Sequence, residues 1–291
     1  SAASDVYKRQ ISKLKDYFFL VPDYQREYVW KPDDEVEQFL IDIENEYSPD
    51  AKEQRNYFLG SIIIANNDRC FDVVDGQQRL TTIMLSLCVF RDLLKKETLN
   101  SAQKNYLQII ENLLYNFDIE SGETRVRLEL QYEESHDYLT ALIQEQPYNG
   151  VRSPSIVRMQ DAYTKILRHF QLYAGIDELI DFAKYCLTKI ELVVIESQDL
   201  SSALKIFETI NQRGAGLNAM DLVKNLLFKA TKLLDSKFYI GVNTALNRFK
   251  NDFQYNFTGW NKSSVEARQK ILLELVFDTW RINDLRLDRV K

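Results

Sequence analysis

Histidine and cysteine are scarce in this sequence of 291 residues. The two histidines, His136 and His169, have no second histidine or cysteine at metal-ligand spacing, and the three cysteines, Cys70, Cys88 and Cys186, lie far apart. A zinc centre, a histidine-based metal nuclease and a cysteine–histidine nucleophile are therefore not expected. An odd number of separated cysteines also gives no disulfide framework, so free thiols in a reducing cytoplasm are predicted.

Turn-forming residues and long apolar runs are also few. The chain has 9 glycines and 5 prolines, which predicts long elements joined by few turns and hence a largely helical protein. No apolar run reaches the roughly 18 residues that a membrane-spanning helix needs, and no secretory leader is visible. A cytoplasmic protein without a membrane partner is therefore expected.

An excess of positive charge is missing too. The formal net charge is -6 and the pI is about 5.2, whereas a protein that coats DNA through its phosphates is usually basic. Composition therefore gives no argument for nucleic-acid binding, although a local basic patch is compatible with it.

The sequence contains neither GxxxxGK[ST] nor GxGxxG, the glycine-rich turns of two common nucleotide-binding folds. It has instead CFDVVDGQQRLTT at residues 70–82, where an apolar run breaks before a helical pattern. A strand, a tight turn and a helix start present free backbone N–H groups to an anion. Gln77, Gln78 and Arg79 would add amide and guanidinium donors, and Asp75 could hold Arg79 or a metal. The alternative is an ordinary turn, with Asp75 as the helix N-cap and Arg79 in solvent.

Two further stretches carry unusual groups of polar and aromatic residues. VPDYQREYVW, residues 21–30, places arginine among tyrosines and tryptophan, which suits base stacking and phosphate binding. The simpler interpretation is an edge segment that packs its aromatics on the core. FETINQRGAGLNAMDLVKN, residues 207–225, is typical of two helices joined by a glycine-containing loop. Only Arg213 on that loop lacks a structural role there, and it can reach a phosphate.

Hydrophobic periodicity predicts a mixed α/β N-terminal part and a helix-rich remainder. The division is expected at residue 97, with an α/β domain over 1–97 that carries the DGQQR motif and a mainly α-helical domain over 98–291 that carries the FETINQRG segment. The first ten residues, SAASDVYKRQ, resemble a cloning or sequencing-derived prefix, and the chain is predicted to be a fragment. The elements used below are predicted as strands at 57–66, 70–74, 124–131 and 190–197 and as helices from Gln77 to about Lys96 and over 100–117.

The three stretches together resemble the GmrSD-type N-terminal domain family, known from modification-dependent restriction and phage-defence proteins. VPDYQREYVW, a GSIII strand, DGQQRLTT and FETINQRGAGLNAMDLVKN follow in the expected order across about residues 10–230. The resemblance implies an α/β (α+β) fold, with a ParB/sulfiredoxin-like core and a large α-helical extension, that binds a nucleoside triphosphate with Mg²⁺. Full-length relatives usually carry an HNH-type nuclease domain, and this chain ends before any such motif.

Carried onto this sequence, the resemblance implies two sets of site residues. The residues expected to act in nucleotide hydrolysis are Asp75, Gln77, Gln78 and Arg79. The residues expected to bind the nucleotide are Tyr24, Gln25, Arg26, Gly76, Asn211, Arg213 and Gly214, and Glu208 matches the same downstream motif. No protein metal centre is expected, because Mg²⁺ would arrive with the nucleotide. In related proteins the Tyr-Gln-Arg region is also tied to the sensing of DNA modification.

Three functions are compatible with these features. The first is an Mg²⁺-dependent nucleoside-triphosphatase, with GTP as the favoured nucleotide, that regulates an HNH nuclease domain or subunit in restriction or phage defence. The second is a sensor of modified DNA that binds a nucleotide without hydrolysing it. The third is a ParB-like nuclease, for which the sequence offers no clustered set of carboxylates.

Overall fold

The computed structural model describes residues 4–22, 25–132 and 135–211 of the chain. Contacts within the chain divide it into a compact unit, Ser1–Ile210, and a second unit, Asn211–Lys291. The elements below belong to the first unit, except for the last residue of the last described helix, Leu200–Asn211. The domain boundary at residue 97 stays a prediction.

The strands form a mixed six-stranded sheet and a separate two-stranded hairpin. The order in the larger sheet is β1-β8-β3-β4-β2-β7. Strands β8 and β3 are parallel, and so are β4, β2 and β7, whereas β1 with β8 and β3 with β4 are antiparallel. The strands are β1 (Ser4–Gln10), β2 (Phe19–Val21), β3 (Tyr57–Asn67), β4 (Cys70–Asp75), β5 (Tyr115–Asp118), β6 (Glu123–Val126), β7 (Leu128–Leu130) and β8 (Ile190–Ser197).

The helices begin at recognisable sequence signals. Asn100 and Gln103 form a reciprocal capping box at the start of α3, and Ser153 with Pro154 starts α5. A short 3-10 helix, Ile11–Asp16, follows β1, and an irregular helical turn, Pro32–Val36, leads into α1. The helices are α1 (Glu37–Asn45), α2 (Gln77–Leu94), α3 (Ser101–Leu114), α4 (His136–Ile143), α5 (Pro154–Phe170), α6 (Ile176–Lys189) and α7 (Leu200–Asn211).

Helix α2 lies in the middle of the main core and is buried along most of its length. Ile62 and Ile64 of β3 belong to the same core. Ile63 and Ala65, which alternate with them along the strand, are also buried. Because successive side chains of a strand point to opposite faces, the centre of the sheet is buried on both faces.

The mixed α/β architecture predicted from the sequence is confirmed, as are the strands at 57–66, 70–74 and 190–197 and the start of a helix at Gln77. The helix predicted over 100–117 is too long, because Tyr115–Asp118 leaves it to pair with β6. The strand predicted over 124–131 is two strands, separated at Arg127, where pairing passes from β5 to β2.

Most of the first ten residues, which resemble a cloning or sequencing-derived prefix, are part of the sheet. Ser4–Gln10 forms β1 and pairs with residues 191–197 of β8. Cys88 and Cys186 are buried free thiols, and Cys70 is a half-buried one, in agreement with the absence of a disulfide framework.

Candidate functional site

Three connections meet where three parallel strands end. Strands β4, β2 and β7 lie side by side and run in the same direction. The turn after β4 begins α2, and the segment after β2 contains residues 25–30. The segment after β7 joins it, because the Gln131 N–H donates to the Val21 carbonyl and the Tyr132 hydroxyl donates to the Arg26 carbonyl at 2.7 Å. Open α/β sheets bind ligands at such carboxyl ends.

The turn between β4 and α2 depends on glycine. Gly76 is the N-cap residue with φ 91°, and a Cβ built there would lie 2.6 Å from the Ile62 side chain. Among the described residues no side chain caps the helix, and the first N–H within α2 that has an acceptor is that of Leu80, which donates to the Gly76 carbonyl at 2.9 Å. The alternative in which Asp75 is the N-cap is therefore wrong. The preceding N–H groups of α2 have the geometry that binds an anion.

Arg79 is half-buried, not solvated as the ordinary-turn alternative requires. Its Nη1 donates to the Ser61 carbonyl at 2.9 Å, whereas no acceptor for Nε or Nη2 is found in the described part of the chain. Burial lowers the pKa of the Arg79 guanidinium, and the nearby Asp75 and Tyr57 oppose this shift. A half-buried cation with unused donors is a favourable partner for an anion.

Gln25 and Gln78 are both buried and fasten the segment 25–30 to the sheet and to α2. Gln25 Nε2 donates to the carbonyls of Val73 and Val74, at 3.2 and 2.9 Å. Gln78 Oε1 accepts from the Val29 N–H at 2.9 Å, while its Nε2 donates to the carbonyl of Glu27 at 2.8 Å. The Tyr28 hydroxyl adds a bond of 2.9 Å to Thr82 Oγ1. These two amides therefore have a structural role that the sequence does not reveal.

Gln77 differs from its neighbour although both residues are 7% exposed. Its backbone carbonyl accepts from the Thr81 hydroxyl, but within residues 4–22, 25–132 and 135–211 no hydrogen bond to the Gln77 amide is found. Arg26 is exposed and forms no ion pair within the same residues. Gln77, Arg26 and Arg79 thus have side-chain polar groups without a hydrogen-bond or ion-pair partner among the described residues.

A sequence model described as the GmrSD restriction endonuclease N-terminal domain matches residues 4–228. The chain belongs to this family. The match extends from β1 through the whole described part of the chain, so the family assignment rests on most of the sequence and not on one motif. Comparison with curated proteins gave no significant match. Membership of the GmrSD family associates the chain with DNA restriction.

Some of the site residues predicted from the sequence lie close together in the structure, and the others lie outside its described part. Five of them, Asp75 to Arg79, form one turn, and the side chain of Gln25 and the backbone of Arg26 lie beside it. Tyr24, Arg213 and Gly214 lie outside the described residues. Asn211 is the last residue of α7, and the structure does not describe the side chains of Asn211 and Glu208.

The structure adds residues of β3 that the sequence analysis missed. Gly60 and Ser61 lie against the Arg79 guanidinium. Burial and the acidic Asp42 and Glu46 raise the pKa of Tyr57, and the charge of Arg79 opposes this shift. The sequence contained a signal for this contact in Gly60, because an isolated glycine inside a strand pattern indicates a bulge or a close approach of another group.

A magnesium ion bound with a nucleotide is compatible with the carboxylate at this turn. No group of three or more His, Cys, Asp or Glu side chains that could hold a metal exists among the residues that the structure describes. Mg²⁺ in phosphate sites needs only one or two carboxylates, because phosphates and water supply the other ligands. Asp75, half-buried beside the helix start, can be one of them. Also within the described chain, none of the helices is long and apolar enough to cross a membrane.

Asp75 is strained electrostatically in the folded GmrSD domain. Burial raises the pKa of its carboxyl, although the Gly76 N–H and Arg79 act in the opposite direction. A carboxyl whose pKa is raised by folding stabilises the fold at low pH and loses that contribution as pH rises through the folded-state value. The ionised carboxylate therefore costs stability near neutral pH.

Replacing Asp75 by asparagine should raise the melting temperature at pH 7, because the neutral amide avoids the desolvation of a charge. The gain should shrink below about pH 4, where the carboxyl is protonated in both folded and unfolded chains. The gain in melting temperature is measured by thermal unfolding between about pH 4 and pH 7, with the exposed Asp50→Asn as the control. A gain that does not depend on pH would contradict the assignment.

Proposed function

We propose that this GmrSD domain binds a nucleoside triphosphate with Mg²⁺ at the turn between β4 and α2 and hydrolyses it, thereby regulating an HNH nuclease domain or subunit that acts on modified DNA. The observation that carries the proposal is Arg79, a half-buried cation with unused donors beside an uncapped helix start. The preference for GTP and the ParB/sulfiredoxin-like character of the core stay predictions.

The residues at the turn divide the chemistry between them. Arg79 and the first N–H groups of α2 neutralise phosphate charge, as fixed donors do in phosphoryl transfer. Gln77, whose amide has no partner in the described chain, orients the phosphate or the attacking water. Asp75 would hold Mg²⁺, which supplies charge neutralisation on the phosphates when bound. Gln78 contributes indirectly, because its amide keeps the segment 25–30 in place.

Replacing Arg79 by alanine should reduce phosphate release from the preferred nucleotide about 100-fold or more, because a fixed charged donor is lost from the transition state. The measurement is phosphate release with Mg²⁺ across a panel of nucleoside triphosphates, with exposed Arg55→Ala as the matched control. Arg79→Lys separates charge from fork geometry, since lysine keeps the charge but not the planar pair of donors. Unchanged phosphate release by Arg79→Ala would refute the proposal.

A second function, nucleotide-dependent sensing of modified DNA without hydrolysis, is favoured by one observation. Arg26 is exposed on the segment 25–30, whose backbone is fastened at several points, so it presents a cation from a fixed position. Nucleotide that raises the melting temperature without phosphate release would support this function. Gel shifts with modified and plain DNA at stated salt, on wild type and Tyr24→Ala, would then locate the sensor.

The third candidate, a ParB-like nuclease, gains no support from the described residues, which offer no carboxylate cluster.

A further inference from the structure

We infer that Gly60, together with the carbonyl of Ser61, is the seat that orients the Arg79 guanidinium. The seat is a pure positioning device, since Gly60 has no side chain with which to touch a ligand. Its effect on nucleotide chemistry rests on the proposed function, whereas the seat itself can be tested without any nucleotide.

The guanidinium lies directly over the backbone of β3. A Cβ built on Gly60 would stand 2.7 Å from Arg79 Cζ, 2.8 Å from Nη2 and 3.0 Å from Nε. These contacts involve three of the four heavy atoms of the guanidinium, so a side chain at position 60 would displace the guanidinium. Nη1 is meanwhile fixed by its 2.9 Å bond to the Ser61 carbonyl.

The strand is shaped for this contact. Gly60 has φ 140°, a conformation that other L-residues rarely adopt. Its pairing with β8 shifts register between Phe58 and Gly60, so the strand is irregular where the arginine lies on it. The next residues return to regular pairing, with Ser61 opposite Val193. The pairing of β3 with β8 is therefore irregular at the place where Arg79 lies on the strand.

The consequence for Arg79 is a fixed direction for its unused donors. Rotation about the side-chain torsions is restricted, because Nη1 is bound to the Ser61 carbonyl and the guanidinium lies against Gly60. Nε and Nη2 are then pre-organised for a tetrahedral anion such as a phosphoryl group, which a planar fork binds through two parallel hydrogen bonds. A free arginine on the surface would lose this benefit to its own rotamer entropy.

A double-mutant cycle on the nucleotide-free protein tests the seat. Gly60→Ala should lower the melting temperature, partly through its unfavourable φ and partly through collision with Arg79. In the Arg79→Ala background the collision is gone, so Gly60→Ala should cost less than half of that shift. Gly122→Ala is the matched control, because Gly122 also has a positive φ, 73°, but nothing within 4 Å of its built Cβ. Its shift should be equal in both backgrounds.

Chemical rescue tests the orientation. Arg79→Ala leaves a guanidinium-sized seat, so millimolar guanidinium should restore part of the phosphate release, and the added methyl group in Gly60→Ala/Arg79→Ala should abolish that rescue. Gly60→Ala alone should lower kcat about tenfold or more, with a smaller change in KM, because misplacement of a transition-state donor acts mainly on the chemical step. A merely structural glycine would change neither the rescue nor the ratio of kcat to KM.

The outcomes separate the seat from the proposed function. Equal melting shifts of Gly60→Ala with and without Arg79 would overturn the seat, whatever the catalytic result. A clear coupling in a protein that releases no phosphate from any triphosphate would support the seat and refute the hydrolytic function. If Gly60→Ala is recovered only unfolded, folded Gly60→Ala/Arg79→Ala supports the inference. Failure of that double variant, while Arg79→Ala folds, overturns it.

Discussion

Replacing Arg91 by methionine is expected to lower the free energy of unfolding by about 3–5 kcal/mol, because it leaves buried carbonyl acceptors and a half-buried carboxylate without their cation. Arg91 is 1% exposed although it is charged. Its Nη1 and Nη2 donate to the carbonyls of Ile143 and Leu142 in the last turn of α4, and its Nε donates to Asp92 Oδ1 at 2.8 Å. The guanidinium of Arg91, on α2, therefore caps the C-terminal end of α4.

Urea unfolding of wild type, Arg91→Met and the control Arg55→Met would measure this effect. Methionine has a similar length and suits an apolar site, so the loss reports mainly on the hydrogen bonds and the charge. Exposed Arg55 should change the free energy of unfolding by less than about 0.5 kcal/mol. A loss below about 1 kcal/mol for Arg91→Met would show that the carbonyls of α4 find other partners.

Replacing Gln78 by leucine is expected to lower the free energy of unfolding by about 1–3 kcal/mol, since two partly buried backbone groups lose their partner. The groups are the Val29 N–H and the Glu27 carbonyl, whereas the Arg26 carbonyl, 3.4 Å from Gln78 Nε2, keeps its hydrogen bond from the Tyr132 hydroxyl. They belong to a segment about fifty residues away in sequence, so the loss should release the segment 25–30 without unfolding α2. Hydrogen exchange of the Val29 amide should rise more than that of the helix.

Gln77→Leu is the matched control, because the two glutamines are adjacent, identical in chemistry and equally exposed at 7%. The Gln77 amide has no partner within the described chain, so its replacement should leave stability nearly unchanged or slightly higher. The same variant should weaken nucleotide turnover, which Gln78→Leu would do only through loss of the segment 25–30. Equal stability losses for the two variants would contradict the division of roles between them.

Local patterns in the sequence were sufficient for most of the elements. The strand 57–66, the strand 70–74 and the helix from Gln77 follow from alternating and helical periodicity, which a short stretch of chain carries by itself. The errors occurred where the secondary structure of a stretch depends on pairing partners elsewhere in the chain. Tyr115–Asp118 continues a helical pattern but pairs with β6, and Arg127 divides one alternating run because the chain changes pairing partner there.

The candidate site shows the same limit. The DGQQR turn, the absence of a glycine-rich phosphate loop and the family resemblance are visible in the sequence, and the family match over residues 4–228 confirms the last of these. The sequence could not show that Gln25 and Gln78 use their amides on backbone groups. Two neighbouring glutamines have the same chemistry, and only their tertiary partners distinguish them.

The sequence by itself therefore determined the family, the mixed α/β character and a turn rich in amides and arginine at the start of a helix. The tertiary structure decided that Arg79 is half-buried against Gly60 of β3. It also decided that the Gln78 amide is hydrogen-bonded, whereas the Gln77 amide has no partner among the described residues. The physical reason is range. Periodicity and turn chemistry act over a few residues, whereas burial, pKa shifts and hydrogen-bond partners are set by β3 and the segment 25–30, which come from distant parts of the chain.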